Sequence, residues 1–349
     1  MGGAEVQQVL IARHLAQGGY KVSFVTRDHG QLDAAKVGGI TVYKAFQIEA
    51  GLPYLRFFKP RLTGIWSALR RADADIYYQR CAGMETGFLA AFCRYYNKKM
   101  VFASGSDTDF DLKCAIISNW RDRWLYSYGL QRTDAIVAQT ETQRELLKKN
   151  FGFDAHLIPN CWAKRISDKS QANNRSYVLW VSTLRRWKRP ELFIDLAEIL
   201  PNTKFVMVGG AASGEEAFYK QITKRAMSIS NISFIGFVPF HEVGRYFDDA
   251  SIVVNTSAPK EGFPNTFLQA WCRGIPVISF FDPDGLIRRF QLGFSVNNPI
   301  EMLAAVTKLL NDVTLYRKTA QAVENYFEAN HSIGILGQKY EALFAKLMG

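Results

Sequence analysis

A chain of 349 residues with 48% hydrophobic and 21% charged side chains is too long for one ordinary core and suits two globular α/β domains rather than a disordered chain. No apolar run reaches the roughly 18 residues that cross a bilayer, and Met1-Gly2-Gly3-Ala4-Glu5 has no basic segment leading into an apolar one, so neither a membrane span nor a signal peptide is expected. The net charge is +11, and residues 51–100 carry nine Lys/Arg against three Asp/Glu, a bias that fits nucleic acid, anionic lipid, a phosphorylated ligand or simply a solvated surface.

In chain order, Val6, Val9, Leu10 and Leu15 mark a helix closed by Gly18-Gly19. A strand-like run follows at 21–26. Residues 54–66 mix aromatics with Arg56, Lys59 and Arg61. They read equally as a patch touching an anionic membrane and as an amphipathic helix with a basic outer face. Further strand-like runs fall at 75–79, 99–104 and 134–139. A helix over 140–150 opens on a capping box of Thr140 and Gln143. Residues 163–175 are polar without period and read as a linker. A second series of strands falls at 177–182, 204–208, 232–235, 252–255 and 276–279, and residues 300–349 are helical in pattern. Strands alternating with helices predict parallel sheets covered on both faces. The division is a domain over 1–162, a linker over 163–176, a domain over 177–325, and a helix over 326–349 packing back toward the first domain. Cys81, Cys93, Cys114, Cys161 and Cys272 form no Cys-x-x-Cys pair, which argues against a zinc site or a disulfide framework and fits a reducing cytoplasm.

Two facing doubly wound domains place ligand sites at the carboxyl ends of their strands, and three stretches lie where such ends are expected. Lys260-Glu261-Gly262-Phe263-Pro264-Asn265-Thr266-Phe267-Leu268-Gln269 passes from a strand into a helix. Gly262 frees its backbone N–H groups to approach an anion. Alone, the Glu-Gly pair favours an ordinary strand–turn–helix joint. Ser182-Thr183-Leu184-Arg185-Arg186-Trp187-Lys188-Arg189-Pro190 sets four cations in five residues after a strand, suited to the negative charge that a diphosphate leaving group develops. Gly2-Gly3-Ala4-Glu5 opens the first helix with glycines, a weak signal by itself.

Together these stretches resemble the retaining glycosyltransferases of family 4, which have the two-domain GT-B fold. The likeness extends to Asp134-Ala-Ile-Val-Ala-Gln-Thr-Glu, Ile158-Pro159-Asn160, Val208-Gly209-Gly210 and Ile235-Gly236-Phe237-Val238. It implies two facing Rossmann-like domains, acceptor-side first and nucleotide-sugar-binding second. In the family, the first Glu of the signature contacts the donor sugar, the second contacts the ribose, and Arg and Lys hold the diphosphate. Those roles fall to Glu261, Gln269, Arg185 and Lys188, with Gly3, Val238, Gly262, Phe263, Asn265 and Thr266 lining the donor. Three departures stand out. Gln269 replaces the second Glu. Thr183 stands where many members carry Arg. The loop that often bears a His reads Gly105-Ser106-Asp107-Thr108-Asp109, leaving Asp107 as the catalytic-side candidate.

The implied activity is transfer of a hexosyl group, with retention, from a UDP- or GDP-sugar to a glycan or lipid-linked acceptor in cell-surface polysaccharide synthesis. No cofactor or metal is expected, since Arg185 and Lys188 supply the positive charge; Asp107-x-Asp109 spells a metal motif of another glycosyltransferase fold but has no further ligands nearby. The protein is expected in the cytoplasm, with the inner membrane face as a further contact. A non-catalytic nucleotide-sugar-binding partner subunit is the alternative, favoured by Gln269 and the missing His. Nucleic acid is not expected, because no recognition motif accompanies the charge. A dinucleotide oxidoreductase is disfavoured because no Gly-x-Gly-x-x-Gly follows an early strand. In the family a strand precedes the glycine loop, and Met1 abuts Gly2 here, so the first domain is expected to lack its first strand.

Overall fold

The computed structural model describes residues 2–51, 57–111, 117, 119–164, 176–258 and 262–349. It divides into two compact units: Gly2–Pro159 with Ile333–Gly349, and Asn160–Ser332.

The first unit opens with α1 (Gly3–Gln17), which buries Val6, Ile11, Ala12 and Leu15 and ends at Gly18. Then come β1 (Ser23–Thr26), β2 (Ala35–Val37), β3 (Ile40–Lys44), α2 (Thr63–Ala72), β4 (Ile76–Arg80), α3 (Met84–Tyr95), β5 (Lys99–Ala103), α4 (Trp120–Leu130), β6 (Ala135–Ala138), α5 (Glu141–Phe151) and β7 (His156–Leu157). The β2–β3 hairpin escapes a sequence reading. Its arms are short and carry exposed polar positions, and only the positive φ angles of Gly38 and Gly39 mark the turn.

These strands form two sheets, β1-β3-β2 and a parallel β4-β5-β6-β7. Among the described residues β1 and β4 do not pair, although Val25 of β1 packs on the cluster that holds Tyr77 of β4. Strands β5 and β6 are buried almost throughout, as parallel strands covered on both faces are, whereas β1 is half-buried along its length.

The second unit holds β8 (Tyr177–Val181), α6 (Glu191–Ile199), β9 (Phe205–Val208), α7 (Glu216–Met227), β10 (Ile232–Gly236), α8 (Phe240–Asp248), β11 (Ala250–Asn255), α9 (Asn265–Trp271), β12 (Val277–Ser279), α10 (Leu286–Phe290), β13 (Gly293–Ser295), α11 (Pro299–Asn311) and α12 (Val313–Asn330). Its six strands are all parallel, in the order β10-β9-β8-β11-β12-β13. One core packs Trp180, Phe193, Phe205 and Val306, and another Phe247, Phe267, Trp271 and Phe327. Truncating one such buried ring costs about 3–5 kcal/mol.

Helix α13 (Ile333–Met348) returns to the first unit. It lies on α1, where His14 Nε2 is 3.0 Å from Glu341 Oε1 and Gly337 sits flush against the His14 ring, leaving no room for a Cβ. The crossings fall at 159/160 and 332/333, whereas the sequence reading sets them near 162 and 325. Helix α12 stays with the second unit through Asn330 because it buries Val323, Tyr326 and Phe327 there. Of the expected linker, residues 165–175 lie outside the described residues.

Candidate functional site

In the second unit the chain begins at β8 and lays β9 and β10 on one side, then crosses to lay β11, β12 and β13 on the other. The order therefore reverses between β8 and β11. In an open parallel sheet, a ligand binds outside the carboxyl ends of the strands at such a switch point. The basic turn leaves β8 there, and residues 256–258 leave β11, ahead in sequence of the 262–269 motif.

The basic turn is built by its backbone. Leu184 N donates to Gly210 O at 2.9 Å, and Arg186 N to Glu215 Oε2 at 2.8 Å. The approach is close because Gly209 has no Cβ; one there would strike Ser182 O and Leu184. A 3-10 turn covers Arg186–Lys188, and Arg189 follows in the left-handed region at φ 47°. Four hydrogen bonds hold it to the β11 exit. Arg189 Nε donates to Thr256 O at 2.8 Å and its Nη2 to Ser257 O at 3.1 Å. Thr256 Oγ1 donates to Lys188 O at 2.6 Å, and Ala258 N donates to Trp187 O at 2.8 Å. The Arg189 guanidinium also lies 4.6 Å from the Phe280 ring centroid.

The four cations thus differ in function. Arg189 is a structural strut. Arg186 lies over Phe218, 4.8 Å from its centroid. Arg185 is exposed. Lys188 is half-buried, with Nζ 4.1 Å from the Trp187 centroid. Burial and then the neighbouring charge of Arg185 push the Lys188 ammonium down to about 7.

Residues 259–261 lie outside the described residues, and with them Glu261, the expected sugar contact, and Lys260. Beyond them, Asn265 and Thr266 open α9 half-exposed, and Gly262 is likewise half-buried. Helix α9 has seven residues, barely two turns, so its dipole is a minor source of positive potential beside Lys188 and Arg185. The Phe263 ring is buried between Trp271 and His331. What residue 263 can offer a ligand is therefore its backbone. Gln269 is buried on α9 at 6% exposure, which suits an amide better than an ionised carboxylate. Val238 is half-buried against the second core, beside an exposed Phe237.

In the first unit the expected residues are Gly3 and Asp107, the latter in the turn that follows β5. Gly3 is the first residue of α1, preceded by Gly2, whose N–H is bonded to the Glu5 carboxylate. Asp107 and Asp109 share a 3-10 turn but do not converge. Asp109 Oδ2 accepts from Gly105 N at 2.5 Å and Ser106 N at 3.2 Å, while Asp107 Oδ1 accepts from Gln143 Nε2 at 3.0 Å. Burial pushes Asp109 up against the lowering effect of those backbone donors. Gln143 is the hub: its N donates to the Thr140 Oγ1 cap, and its Oε1 accepts from Ser104 Oγ and Gln139 N. Among the described residues no group of three or more His, Cys, Asp or Glu could hold a metal ion. Of the basic stretch at 54–66, Arg56 lies outside the described residues, Lys59 is exposed, Arg61 lies over Phe46, and Trp66 packs edge-on to Phe92. No helix of the described residues is long and apolar enough to cross a membrane.

A parallel α/β unit with a cationic turn at its switch point defines a protein that binds an anionic ligand of nucleotide type. The comparisons sharpen that class. Residues 1–161 match the family model Glycosyltransferase Family 4, and residues 163–326 match Glycosyl transferases group 1. The uncharacterized glycosyltransferase MJ1069 of Methanocaldococcus jannaschii is 22% identical over 334 residues, spanning 88% of this chain and 84% of its own. Among solved structures, Anabaena HepE in complex with UDP and glucose superposes with a TM-score of 0.78 at 16% identity, over 99% of this chain and 96% of its own. Sucrose-phosphate synthase of Thermosynechococcus elongatus does so with a TM-score of 0.75 at 16% identity, over 99% and 94%. The chain belongs to the family 4-like glycosyltransferases of the GT-B fold.

Sequence reasoning missed Arg189, Thr256 and His331. Arg189 was visible only as one cation of four, and nothing in the spacing separates a strut from a ligand contact.

The depressed Lys188 gives a pH signature. Free protein above pH 7 carries Lys188 neutral; a diphosphate beside it favours the charged form and draws a proton in. Titrating UDP at pH 8 in two buffers of different ionisation enthalpy should show proton uptake, absent at pH 6, and affinity should fall as pH rises above 7. A flat affinity with no uptake at pH 8 would place the diphosphate away from Lys188.

Proposed function

We propose that the protein transfers a hexosyl group, with retention, from a nucleotide-diphosphate sugar of the UDP or GDP type to a glycan or lipid-linked acceptor in cell-surface polysaccharide assembly. The observation that carries the donor reading is the cationic turn at the β8/β11 switch point, with half-buried Lys188 beside Arg185. As the glycosidic bond to phosphate breaks, negative charge grows on the leaving diphosphate. Preorganised cations stabilise it there without reorganisation. No metal or cofactor is required in this scheme, because the two side chains supply the charge. The second unit holds the donor and the first serves the acceptor side, with Gly3 lining the donor and Asp107 as the catalytic-side candidate. Glu261 contacts the sugar, and Gln269 bonds ribose hydroxyls through its amide. HepE, captured with UDP and glucose, supports the donor class; retention and the acceptor rest on family likeness alone.

The substitution of Gln269 keeps a second reading open: a partner subunit that binds the nucleotide sugar without turning it over. Donor hydrolysis by the wild-type protein separates the two. In the enzyme reading, Lys188→Ala and Arg185→Ala each weaken UDP or GDP binding by about 1.5–3 kcal/mol, as lost charged hydrogen bonds do. Glu261→Gln leaves that binding nearly intact and lowers turnover by roughly 10²–10³. Unchanged affinity in both cation variants would remove the donor site from this turn.

Peripheral contact with an anionic membrane is the remaining part of the proposal, supported by exposed Lys59 and the charge of +11. Binding to vesicles containing anionic lipid should then fall between low salt and 0.1 M, where the Debye length is about 10 Å. Binding that ignores salt, or none, leaves the stretch as plain surface.

A further inference from the structure

We infer that Asn160 and His331 together position the 262–265 turn, and so act as positioning residues for the donor site; this rests on the donor reading above. The two residues lie at opposite ends of the second unit, 171 positions apart. His331 is buried, and its Nδ1 stands 2.8 Å from Asn160 O. A carbonyl can only accept, so Nδ1 carries the proton and the ring orientation is fixed. The backbones are joined as well: Trp162 N donates to His331 O at 2.9 Å, and Trp162 and Ser332 form a parallel bridge.

This clasp reaches the turn from two directions. The Asn160 Nδ2 group donates to Phe263 O at 3.3 Å, and more weakly to Asn265 Oδ1 at 3.5 Å. The Phe263 ring lies against the His331 ring, centroids 5.0 Å apart, and both pack with Trp271. Residue 263 is thus held by its carbonyl and by its side chain. It stands between Gly262 and Pro264, two residues before Asn265. A shift at 263 moves the N–H groups and side chains that would meet the donor. A displacement of about 1 Å at a positioned group can cost 10²-fold in rate. Plain packing would need an apolar ring at 331 but not a polar one: a buried imidazole bonded to a buried carbonyl, with a buried amide turned onto the loop, is an arrangement with direction.

The test uses substitutions that separate packing from direction. His331→Phe keeps an aromatic ring against Phe263, Trp271 and Tyr326 and loses the bond to Asn160 O. His331→Asn offers an amide N–H in place of Nδ1 and loses the ring. Asn160→Leu keeps the size of the side chain and loses the donation to Phe263 O. Each is titrated with UDP and GDP, melted, and assayed for donor turnover beside Lys188→Ala. Positioning predicts that His331→Phe and Asn160→Leu weaken nucleotide binding about three- to tenfold and raise donor KM more than they lower kcat, with little change in melting temperature for His331→Phe. It predicts the reverse for His331→Asn, a lower melting temperature with affinity within about twofold of wild type. Affinity that follows melting temperature across all three makes the clasp a packing feature and overturns the inference. So does wild-type affinity in all three while Lys188→Ala binds weakly, an outcome that leaves the donor reading standing. If Lys188→Ala also binds normally, the donor reading falls and takes the inference with it. Should His331→Phe fail to fold, Asn160→Leu decides alone.

Discussion

The second unit depends on one join. Arg189 bonds two successive carbonyls of the β11 exit and stacks on Phe280, while Thr256 and Ala258 bond back to Lys188 and Trp187. Strands β8 and β11 pair in parallel, which sets their carboxyl ends side by side, but they share no turn, so beyond the ladder the two exits need a tie of their own. Here a guanidinium supplies that tie, from a residue held at φ 47°. A non-glycine residue in that region costs of order 1–3 kcal/mol and persists only where its surroundings fix it. The return is geometric. With Arg189 spent as a strut, Lys188 is carried into a half-buried position beside Arg185, which is what depresses its ammonium.

The first unit is organised differently. Gln143 draws together Ser104, Gln139, Thr140 and Asp107 at the ends of β5 and β6, and Asp109 closes on its own turn. The two carboxylates of the Asp-x-Asp stretch thus point to different partners. Their proximity in sequence reflects a tight 3-10 turn rather than a shared ligand. The expected capping box is present in altered form: Thr140 caps Gln143 N, but the Gln143 side chain reaches Gln139 N, one residue beyond the cap.

What was legible in the sequence follows from burial. Strands β5, β6, β8, β9 and β11 stand out because parallel strands covered on both faces must be apolar throughout. The β2–β3 hairpin and the three-residue β13 are too short and too mixed to do so. The motif at 182–190 was legible as a cationic turn after a strand, and the family likeness placed the diphosphate there. Which cation binds and which braces was not legible, since Arg185, Arg186 and Arg189 have the same chemistry and differ only in what surrounds them. His331 was invisible for another reason: its partner, Asn160, is at the far end of the unit, and only the folded unit brings them together.

The central claim is that the joined exits of β8 and β11 form the seat of the donor diphosphate. Amide hydrogen exchange with and without saturating UDP or GDP tests it most directly. The account predicts added protection at the amides of 185–189, 256–258 and 265–266, which bind together or are tied to what binds, with little change at 104–110 in the first unit. Protection confined to the first unit, or spread evenly over both, would contradict it.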